Sequence, residues 1–406
     1  MGPQLTIVTP TFYPELIGTP LYVADLAQWF ARNDWSVRVV TGQPYYPDFK
    51  RHEGFDRRRR TDRLGDVEIV RLPTIVPKEG RRSWRVASDL NFAIQGLARR
   101  RALTTDGPVL SVSPGTPWVA RVGAALTRAA NHVCLVHDVQ SGLAVGHEQT
   151  ALAKAIRVNE ARSLNTAGLV AGLTPEMVDT LRTMGVSRPT EVLPLWSTVA
   201  PPETFPHLGA EVQYSGNFGE KQGVASLAQV ASGLARADIP LRVRGTGPRF
   251  AQLLPKLREA AGPLLHVEQL VPHSELTQAL ARSPVHLVLQ GPATGGYVMP
   301  SKALNVLACG GTVIAMADVD SPVDRLSREL EGLFVVPPGD AEAAVRAALE
   351  HLPGACLPAT RRTIADSAAR VFSRSSVLTR LADLLAGSGS GECHTLVRTD
   401  KQGRDL

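Results

Sequence analysis

The sequence predicts an α/β protein built from two doubly wound, Rossmann-like domains, and three observations carry that prediction. Apolar runs of four to six residues alternate with amphipathic segments of helical length along nearly the whole chain. That is the pattern of a mostly parallel sheet covered by helices on both faces. At 406 residues the chain is too long for one ordinary hydrophobic core, so two domains are expected. The rhythm breaks at Ala200–Gly209 (Ala-Pro-Pro-Glu-Thr-Phe-Pro-His-Leu-Gly), where the prolines disfavour both helix and central strand. Residues 1–200 and 201–386 are therefore read as the two domains, with the linker in that break. Residues 387–406, a Gly-Ser-rich stretch and a polar tail, carry too little apolar surface to order themselves.

In the first domain the strand candidates are Leu5–Thr9, Val37–Thr41, Val67–Leu72, Val109–Val112, His132–His137, Leu169–Leu173 and Glu191–Pro194. Tyr22–Ala31 reads as a helix with Leu26, Trp29 and Phe30 on one stripe. Thr174 is a good N-cap for another helix, with Pro175 suited to its first turn. The second domain restarts at Val212–Ser215 and continues through Leu241–Arg244, Leu265–Leu270, Val285–Gln290, Thr312–Ala317 and Leu333–Val336. Helical patterns separate these runs, notably Val224–Ala235, Ser274–Ala281 and Lys302–Ala308.

Composition excludes several classes. Hydrophobic residues make up 44% and charged residues 20% of the chain, as in ordinary globular enzymes. The longest apolar stretches are strand-sized, and Met1 leads almost directly into a strand without a basic leader. Four cysteines are scattered without metal-like spacing, with Cys134 and Cys309 in apolar runs where they read as buried free thiols. A reducing, cytoplasmic setting is expected. The net charge of +6 is unevenly placed, with arginines at 51, 57–60, 63, 81, 82, 85 and 99–101. This is either a solvated arginine-rich face or a surface for an anionic membrane or a pyrophosphate-linked acceptor. Few aromatics interleave with the charges, so nucleic acid is not expected.

In open α/β sheets ligands bind beyond the carboxyl ends of the strands. The loop after the first strand contains Gly18-Thr19-Pro20 ahead of a helix, which reads equally as a backbone approach to a ligand or as a tight turn. The loop after Val212–Ser215 is Gly216-Asn217-Phe218-Gly219-Glu220-Lys221-Gln222-Gly223. Glycines expose amides there, the following helix N-terminus favours an anion, and Lys221 adds a full charge. Gly245-Thr246-Gly247-Pro248 follows the next strand. Pro300-Ser301-Lys302 opens a helix that carries Asn305, placing Ser301 and Lys302 beside first-turn amides and Asn305 within reach of ribose hydroxyls. Simple capping by Ser301 is the competing reading.

Together these loops resemble the GT4-type retaining glycosyltransferases of the GT-B fold, whose two Rossmann-like domains face each other across a cleft. The resemblance rests on Gly216–Gly223, Gly245–Pro248 and Met299-Pro-Ser-Lys-Ala-Leu-Asn-Val-Leu-Ala-Cys-Gly in the second half. Looser matches in the first half are Phe12-Tyr13-Pro14-Glu15 with Gly18, Tyr45-Tyr46-Pro47, and His137-Asp138-Val139-Gln140. The set is most similar to the bacterial exopolysaccharide, colanic-acid-type branch. The resemblance implies Lys221 on the donor pyrophosphate, Gly18 and Thr19 near the phosphates and reacting carbon, and His137 on the donor sugar. Asn217 stands where many members have an arginine, and Lys302 is the candidate to compensate. Tyr297 and Asn305 stand where many members have two glutamates, and Pro20 replaces a frequent glycine.

The implied reaction moves a sugar from a nucleotide-diphosphate sugar, UDP- or GDP-linked, to a glycan or lipid-linked acceptor in cell-surface polysaccharide synthesis, with retention. His137, Lys221 and Lys302 are the expected catalytic groups; Gly18, Thr19, Gly216, Asn217, Gly245, Gly247, Tyr297, Ser301 and Asn305 are the expected substrate contacts. No cofactor or metal is expected, since charge on the leaving diphosphate can be met by lysines and helix amides. His132, and in a competing reading His137, fit as strand residues satisfied in the core. Two alternatives accompany this reading: a sugar-nucleotide 2-epimerase, and a catalytically silent module that binds sugar nucleotide or glycan.

Overall fold

Every apolar run read as a strand forms one, and the strands assemble into two separate sheets. The computed structural model describes residues 2–15, 18–46, 48–55, 61–78, 82–113, 118–139, 151–218, 226–246, 248–290 and 301–387. The first sheet contains β1 (Gln4–Val8), β2 (Ser36–Thr41), β3 (Thr61–Leu64), β4 (Val67–Arg71), β5 (Val109–Ser113), β6 (His132–Val136), β7 (Leu169–Gly172) and β8 (Thr190–Val192). Their order is β3-β4-β2-β1-β5-β6-β7-β8. The second contains β9 (Val212–Asn217), β10 (Leu241–Thr246), β11 (Leu265–Glu268), β12 (Val285–Leu289), β13 (Thr312–Met316) and β14 (Leu333–Val336). Their order is β11-β10-β9-β12-β13-β14. All neighbours pair in parallel except β3 and β4.

β3 is the strand that periodicity does not reveal. Its sequence, Thr-Asp-Arg-Leu, has one apolar residue, because an edge strand needs no continuous apolar face. Antiparallel pairing with β4 holds it, and Asp62 reaches the buried Arg71 at 3.6 Å.

Each sheet reverses its strand order once. In the first, the chain builds outward from β1 through β2 and β4, then returns to place β5 on the other side of β1. In the second, the reversal lies between β9 and β12. At such switch points the loops leaving two adjacent strands diverge and open a crevice at the carboxyl ends. Of the three glycine-bearing loops singled out in the sequence, those after β1 and β9 leave a switch-point strand.

The described residues group into one unit reaching Pro194, joined by the stretch from Ser375, and a second unit, Leu195–Arg374. In the first unit Val8, Val40, Phe92, Val109, Val119 and Val122 share a core. The final helix, Arg374–Leu385, buries Leu378 and Leu381, and its Arg380 lies 3.4 Å from Glu191 of β8. In the second unit one sheet face is apolar, with Val212, Tyr214, Leu241 and Val243 in the core. The opposite face of β9–β11 is polar: Arg242 makes two 2.8 Å hydrogen bonds to Glu211, and Arg242 and Arg244 both pair with Glu268. Cys134, Cys309 and Cys356 are free and buried, and burial pushes the Cys134 and Cys309 thiols up to about 12. The expected tail falls outside the described residues from 388 onward.

The two compact units divide after Pro194, a few residues ahead of the linker expected at Ala200–Gly209. Residues 197–209 are fastened into the second unit by polar contacts that proline content does not reveal. Thr277 donates to the Ala200 carbonyl at 3.1 Å, and the Leu208 amide donates to the Cys356 carbonyl at 3.2 Å. Arg361, fully buried, donates to the carbonyls of Pro206 at 3.0 Å and Ala281 at 2.7 Å, while its guanidinium lies 5.5 Å from the Phe205 ring centroid.

Replacing Arg361 by Ala leaves two carbonyls without their donor and removes the cation over Phe205. Since each orphaned buried group costs about 1–3 kcal/mol, Arg361→Ala is expected to lower stability in urea unfolding by about 2–5 kcal/mol. A loss below about 1 kcal/mol would show that Arg361 does not fasten this segment.

Candidate functional site

The second unit shows how a lysine is placed at a switch point. β12 ends at Leu289, and the helix Ser301–Ala308 begins after the loop that follows it. The face of this helix carrying Ala303, Leu304 and Leu307 is buried, which fixes its rotation. Lys302 is thereby directed over β9: its ammonium lies 5.4 Å from the centroid of the Tyr214 ring. A Cβ built on Gly216 would meet Lys302 Nζ at 2.0 Å and Cε at 2.4 Å. Gly216 also has φ 143°, a conformation that L side chains rarely adopt. Its lack of a side chain is therefore required twice, by the backbone and by the lysine stem above it. Gly216 and Lys302, separate motifs in the sequence, form one feature.

Burial pushes the Lys302 ammonium down to about 8. Among the described residues no carboxylate forms an ion pair with it, and the Tyr214 ring supplies only the weaker attraction of a π face. A cation held in this way favours an anion that brings its own charge.

At Gly245 the missing side chain makes room for an aromatic ring. Phe218 packs its ring against Gly245, where an added Cβ would lie 2.3 Å from Phe218 Cε2 and 2.9 Å from the Gly216 carbonyl oxygen. Phe218 is buried between Tyr214 and Phe250, with ring centroids 5.0 and 4.7 Å away. The glycine therefore lets an aromatic ring close the end of β9 against β10. Asn217 ends β9. The Asn217 side chain, Lys221, Gly247 and Tyr297 lie outside the described residues, and so does the 291–300 loop.

Asn305 is held within the chain. Its Oδ1 accepts from the Thr198 amide at 3.0 Å and the Ser197 hydroxyl at 3.2 Å, and its Nδ2 donates to Thr198 Oγ1 at 3.1 Å. The structure thus gives this amide a positioning task, holding residues 197–198 to the Lys302 helix. Ser301 is the first residue of that helix and is half-buried.

In the first unit the loop after β1 ends at Gly18, with φ 71°, and the helix Thr19–Arg32 starts there without a side-chain cap. A Cβ on Gly18 would meet nothing within 4 Å, so the space above it is open. Pro20 lacks an amide proton, which leaves fewer donors at this end. One turn on, the Tyr22 ring meets the His137 ring edge-on at 6.0 Å. His137 follows β6, its amide donates to Ser113 at 3.0 Å, and Nε2 finds no partner among the described residues. Burial lowers His137 to about 4, so the imidazole is neutral at pH 7. The helix start and His137 therefore share one corner of this unit. His132 is a core residue, hydrogen-bonded to Ser111 Oγ at 2.9 Å.

A carboxylate that the sequence reading did not promote lies in the loop after β1. Glu15 is buried, and its Oε1 accepts from the amides of Tyr45 at 2.7 Å and Tyr46 at 2.6 Å. Burial raises its pKa, opposed by those two hydrogen bonds and by the charges of His52 and Arg71. It latches the Tyr45–Tyr46 loop to the loop after β1, while Arg71 donates to the Tyr13 carbonyl at 2.7 Å. The available signal was a lone acid in Phe12–Glu15, a motif quoted for its resemblance and not for the acid. Among the described residues no group of three His, Cys, Asp or Glu is placed to hold a metal ion.

The buried charge gives a stability test. An unfolded lysine keeps its ordinary value of 10.5 while folded Lys302 titrates near 8, so the penalty is fully present below pH 8 and fades as pH rises toward 10.5. Lys302→Met is expected to raise the thermal midpoint of the ligand-free protein at pH 7, with the gain shrinking through that window. An equal or lower midpoint at pH 7 would contradict an uncompensated charge.

Comparisons with known proteins agree with this architecture. Residues 18–196 match the Glycosyl transferase 4-like domain. The Escherichia coli (strain K12) protein WcaI, assigned as a glycosyl transferase of colanic acid biosynthesis, is 25% identical over 93% of this chain and 98% of its own length. Among solved structures, sucrose-phosphate synthase from Thermosynechococcus elongatus superposes with a TM-score of 0.72 at 18% identity, covering 95% of this chain and 98% of that one. An S. aureus TarM complex containing UDP superposes at 0.64 with 10% identity, covering 94% and 99%. An E. coli trehalose-6-phosphate protein bound with UDP-2-fluoro glucose gives 0.64 at 11% identity, covering 94% and 99%. These similarities do not favour the epimerase or the silent binding module. Two mostly parallel sheets, each with a glycine-bearing loop at its switch point, the Glycosyl transferase 4-like match over residues 18–196 and a relative aligned over nearly the full length support a GT4-type glycosyltransferase with the GT-B fold.

Proposed function

We propose that this glycosyltransferase moves a sugar from a UDP- or GDP-linked donor to a glycan or lipid-linked acceptor in cell-surface polysaccharide biosynthesis, retaining the anomeric configuration. The observation that carries the donor half is the half-buried Lys302 ammonium over Gly216 at a switch point, with no carboxylate paired to it among the described residues. A nucleotide diphosphate supplies the missing negative charge. WcaI supports the polysaccharide setting, and the UDP in two structural neighbours supports a uridine donor as the first to test.

In this mechanism the bond between the sugar's anomeric carbon and the terminal phosphate oxygen breaks, and negative charge develops on the diphosphate. Lys221 and Lys302, with the first-turn amides at Ser301 and the backbone around Gly216, Asn217 and Gly247, stabilise that charge without reorganising. Gly245 holds the end of β10 close to β9, and Asn305 positions the Lys302 helix. The acceptor hydroxyl oxygen bonds to the anomeric carbon on the face the phosphate leaves, and its proton passes to the departing phosphate oxygen. Neutral His137 hydrogen-bonds the donor sugar beside Gly18 and Thr19, and Tyr297 borders the sugar. The lysines take the place a metal ion would have, so the transfer proceeds without a cofactor. The protein works in the cytoplasm at the inner, anionic face of the membrane; no described helix is long and apolar enough to cross one.

A thermal-shift panel of UDP, GDP, ADP and dTDP tests the donor site. One uridine or guanosine diphosphate is expected to raise the midpoint, and none doing so would remove the proposal. A charge-assisted contact contributes about 1.5–3 kcal/mol. Lys302→Met and Lys221→Ala should therefore each weaken binding of the preferred diphosphate about 10- to 100-fold by calorimetry. Affinity in the unsubstituted protein should fall as pH rises through about 8, where Lys302 loses its proton. Unchanged dissociation constants would remove the two lysines from the site.

A further inference from the structure

The second unit holds a cavity at the end of its sheet opposite Lys302. Its volume is about 370 Å³, within the range of about 300–1,000 Å³ usual for small-molecule sites. Thr312, the first residue of β13, and Gly332, just ahead of β14, line it. These are amino ends, whereas Gly216 and Lys302 meet at carboxyl ends. A strand such as β13 puts roughly 15 Å between the two, at about 3.3 Å per residue. The walls come from the end of the helix Ala341–Ala355 and the start of the helix Pro358–Val371. Small residues keep the space open. A Cβ built on Gly354 would meet nothing within 4 Å, and Ala355 and Ala359 project only a methyl group.

The polar groups around this cavity are uncommitted, unlike the bonded network on β9–β11. Among the described residues no hydrogen bond or ion pair engages the Glu331 carboxylate, the His351 ring nitrogens or the Thr360 hydroxyl. Their positions are nonetheless fixed. The Glu331 amide donates to the buried Ser367 hydroxyl at 3.3 Å. The His351 ring stacks on Phe334 with centroids 3.5 Å apart and planes 10° from parallel. Thr360 lies in the first turn of its helix, whose N-cap residue, Leu357, supplies no side-chain hydrogen bond. The Ala359 and Thr360 amides are therefore donors without a capping side chain.

These groups select the chemistry of an occupant. An anion would meet the Glu331 carboxylate, and a cation would meet helix amides that carry partial positive charge. A neutral polyol uses both signs: its hydroxyls donate to the carboxylate and accept from the amides and Thr360. Phe334, His351 and Ile364 offer aromatic and apolar surface to the C–H face of a ring.

We infer that this cavity is a saccharide site that holds one non-reacting pyranose residue of the glycan on which the enzyme works. The assignment rests on the proposal that the acceptor is a glycan, and it names where a further residue of that glycan is gripped. Binding energy from such a remote residue helps retain the acceptor.

Saturation-transfer NMR on the full-length chain tests the site with methyl pyranosides of glucose, galactose, mannose and N-acetylglucosamine. At least one should bind, and Glu331→Gln should weaken it about tenfold, because the acceptor loses its charge. Gly354→Leu fills the space with a good helix former and should abolish the binding. Both variants should keep the unsubstituted circular-dichroism spectrum and nucleotide-diphosphate affinity, and Lys302→Met should keep pyranoside binding. If Gly354→Leu unfolds, Glu331→Gln at its exposed position decides. No pyranoside binding by the unsubstituted chain overturns the inference. So does binding that both cavity variants leave at full strength, or that Lys302→Met abolishes, since the sugar then sits at the donor end. A chain that binds nucleotide diphosphate but no pyranoside refutes this site alone. One that binds a pyranoside through Glu331 but no nucleotide supports the site and refutes the donor-site reading alone.

Discussion

A lysine ammonium placed over Gly216 and facing the Tyr214 ring constrains the second unit more than any other single contact. Taking a cation out of water is unfavourable unless something offsets it, and here the described surroundings offer a π face and no acid. The other local features follow from accommodating it. Gly216 lacks a side chain in the volume the lysine stem crosses. The Ser301–Ala308 helix is anchored by buried residues, which fixes the point from which the Lys302 stem leaves it. Strand order brings β12 beside β9, so that the helix after one strand can cover the end of the other. The residual strain is stored as a depressed pKa, which is the form in which an anion can release it.

The first unit uses a similar switch point with a neutral side chain in place of a charged one. Its corner is built from a neutral histidine, an aromatic ring and an uncapped helix start beneath an open glycine. Burial keeps His137 uncharged, which suits hydrogen bonding to sugar hydroxyls more than attraction to phosphate. The acid of the loop after β1, Glu15, is turned inward to hold two loop amides and so shapes the loops while staying buried. A charged group built into a scaffold and a charged group poised for a ligand look alike in sequence. They differ in whether their hydrogen bonds are already satisfied within the chain.

Arg361 and the polar face of β9–β11 show a further use of charge, as fasteners. Arg361 joins the 205–206 segment to the Ala281 carbonyl, and Glu211, Arg242, Arg244 and Glu268 cover a sheet face that alternation leaves without apolar side chains. Each of these buried or half-buried side chains makes hydrogen bonds within the chain. They also explain why a proline-rich break can lie inside a unit: its residues contribute little apolar surface and are held by hydrogen bonds.

By itself the sequence determined the class, the strands and the loops to inspect, because burial of a parallel sheet imposes apolar runs of fixed length between helices. The glycine-bearing loops after β1 and β9, and Lys302 at a helix start, were legible because anion chemistry needs exposed amides and cations. Five features were decided only by tertiary structure. Edge strand β3 has no periodicity to betray it, and the division after Pro194 rests on hydrogen bonds between distant segments. Gly245 serves Phe218, and Asn305 serves Thr198, because each side chain finds its nearest partner across the fold and not along the chain. The exposed row of Val86, Leu90 and Ile94 on the helix Arg82–Ala98 belongs with them. An apolar periodicity says that a helix has an apolar face, whereas only packing shows which face the core has already taken.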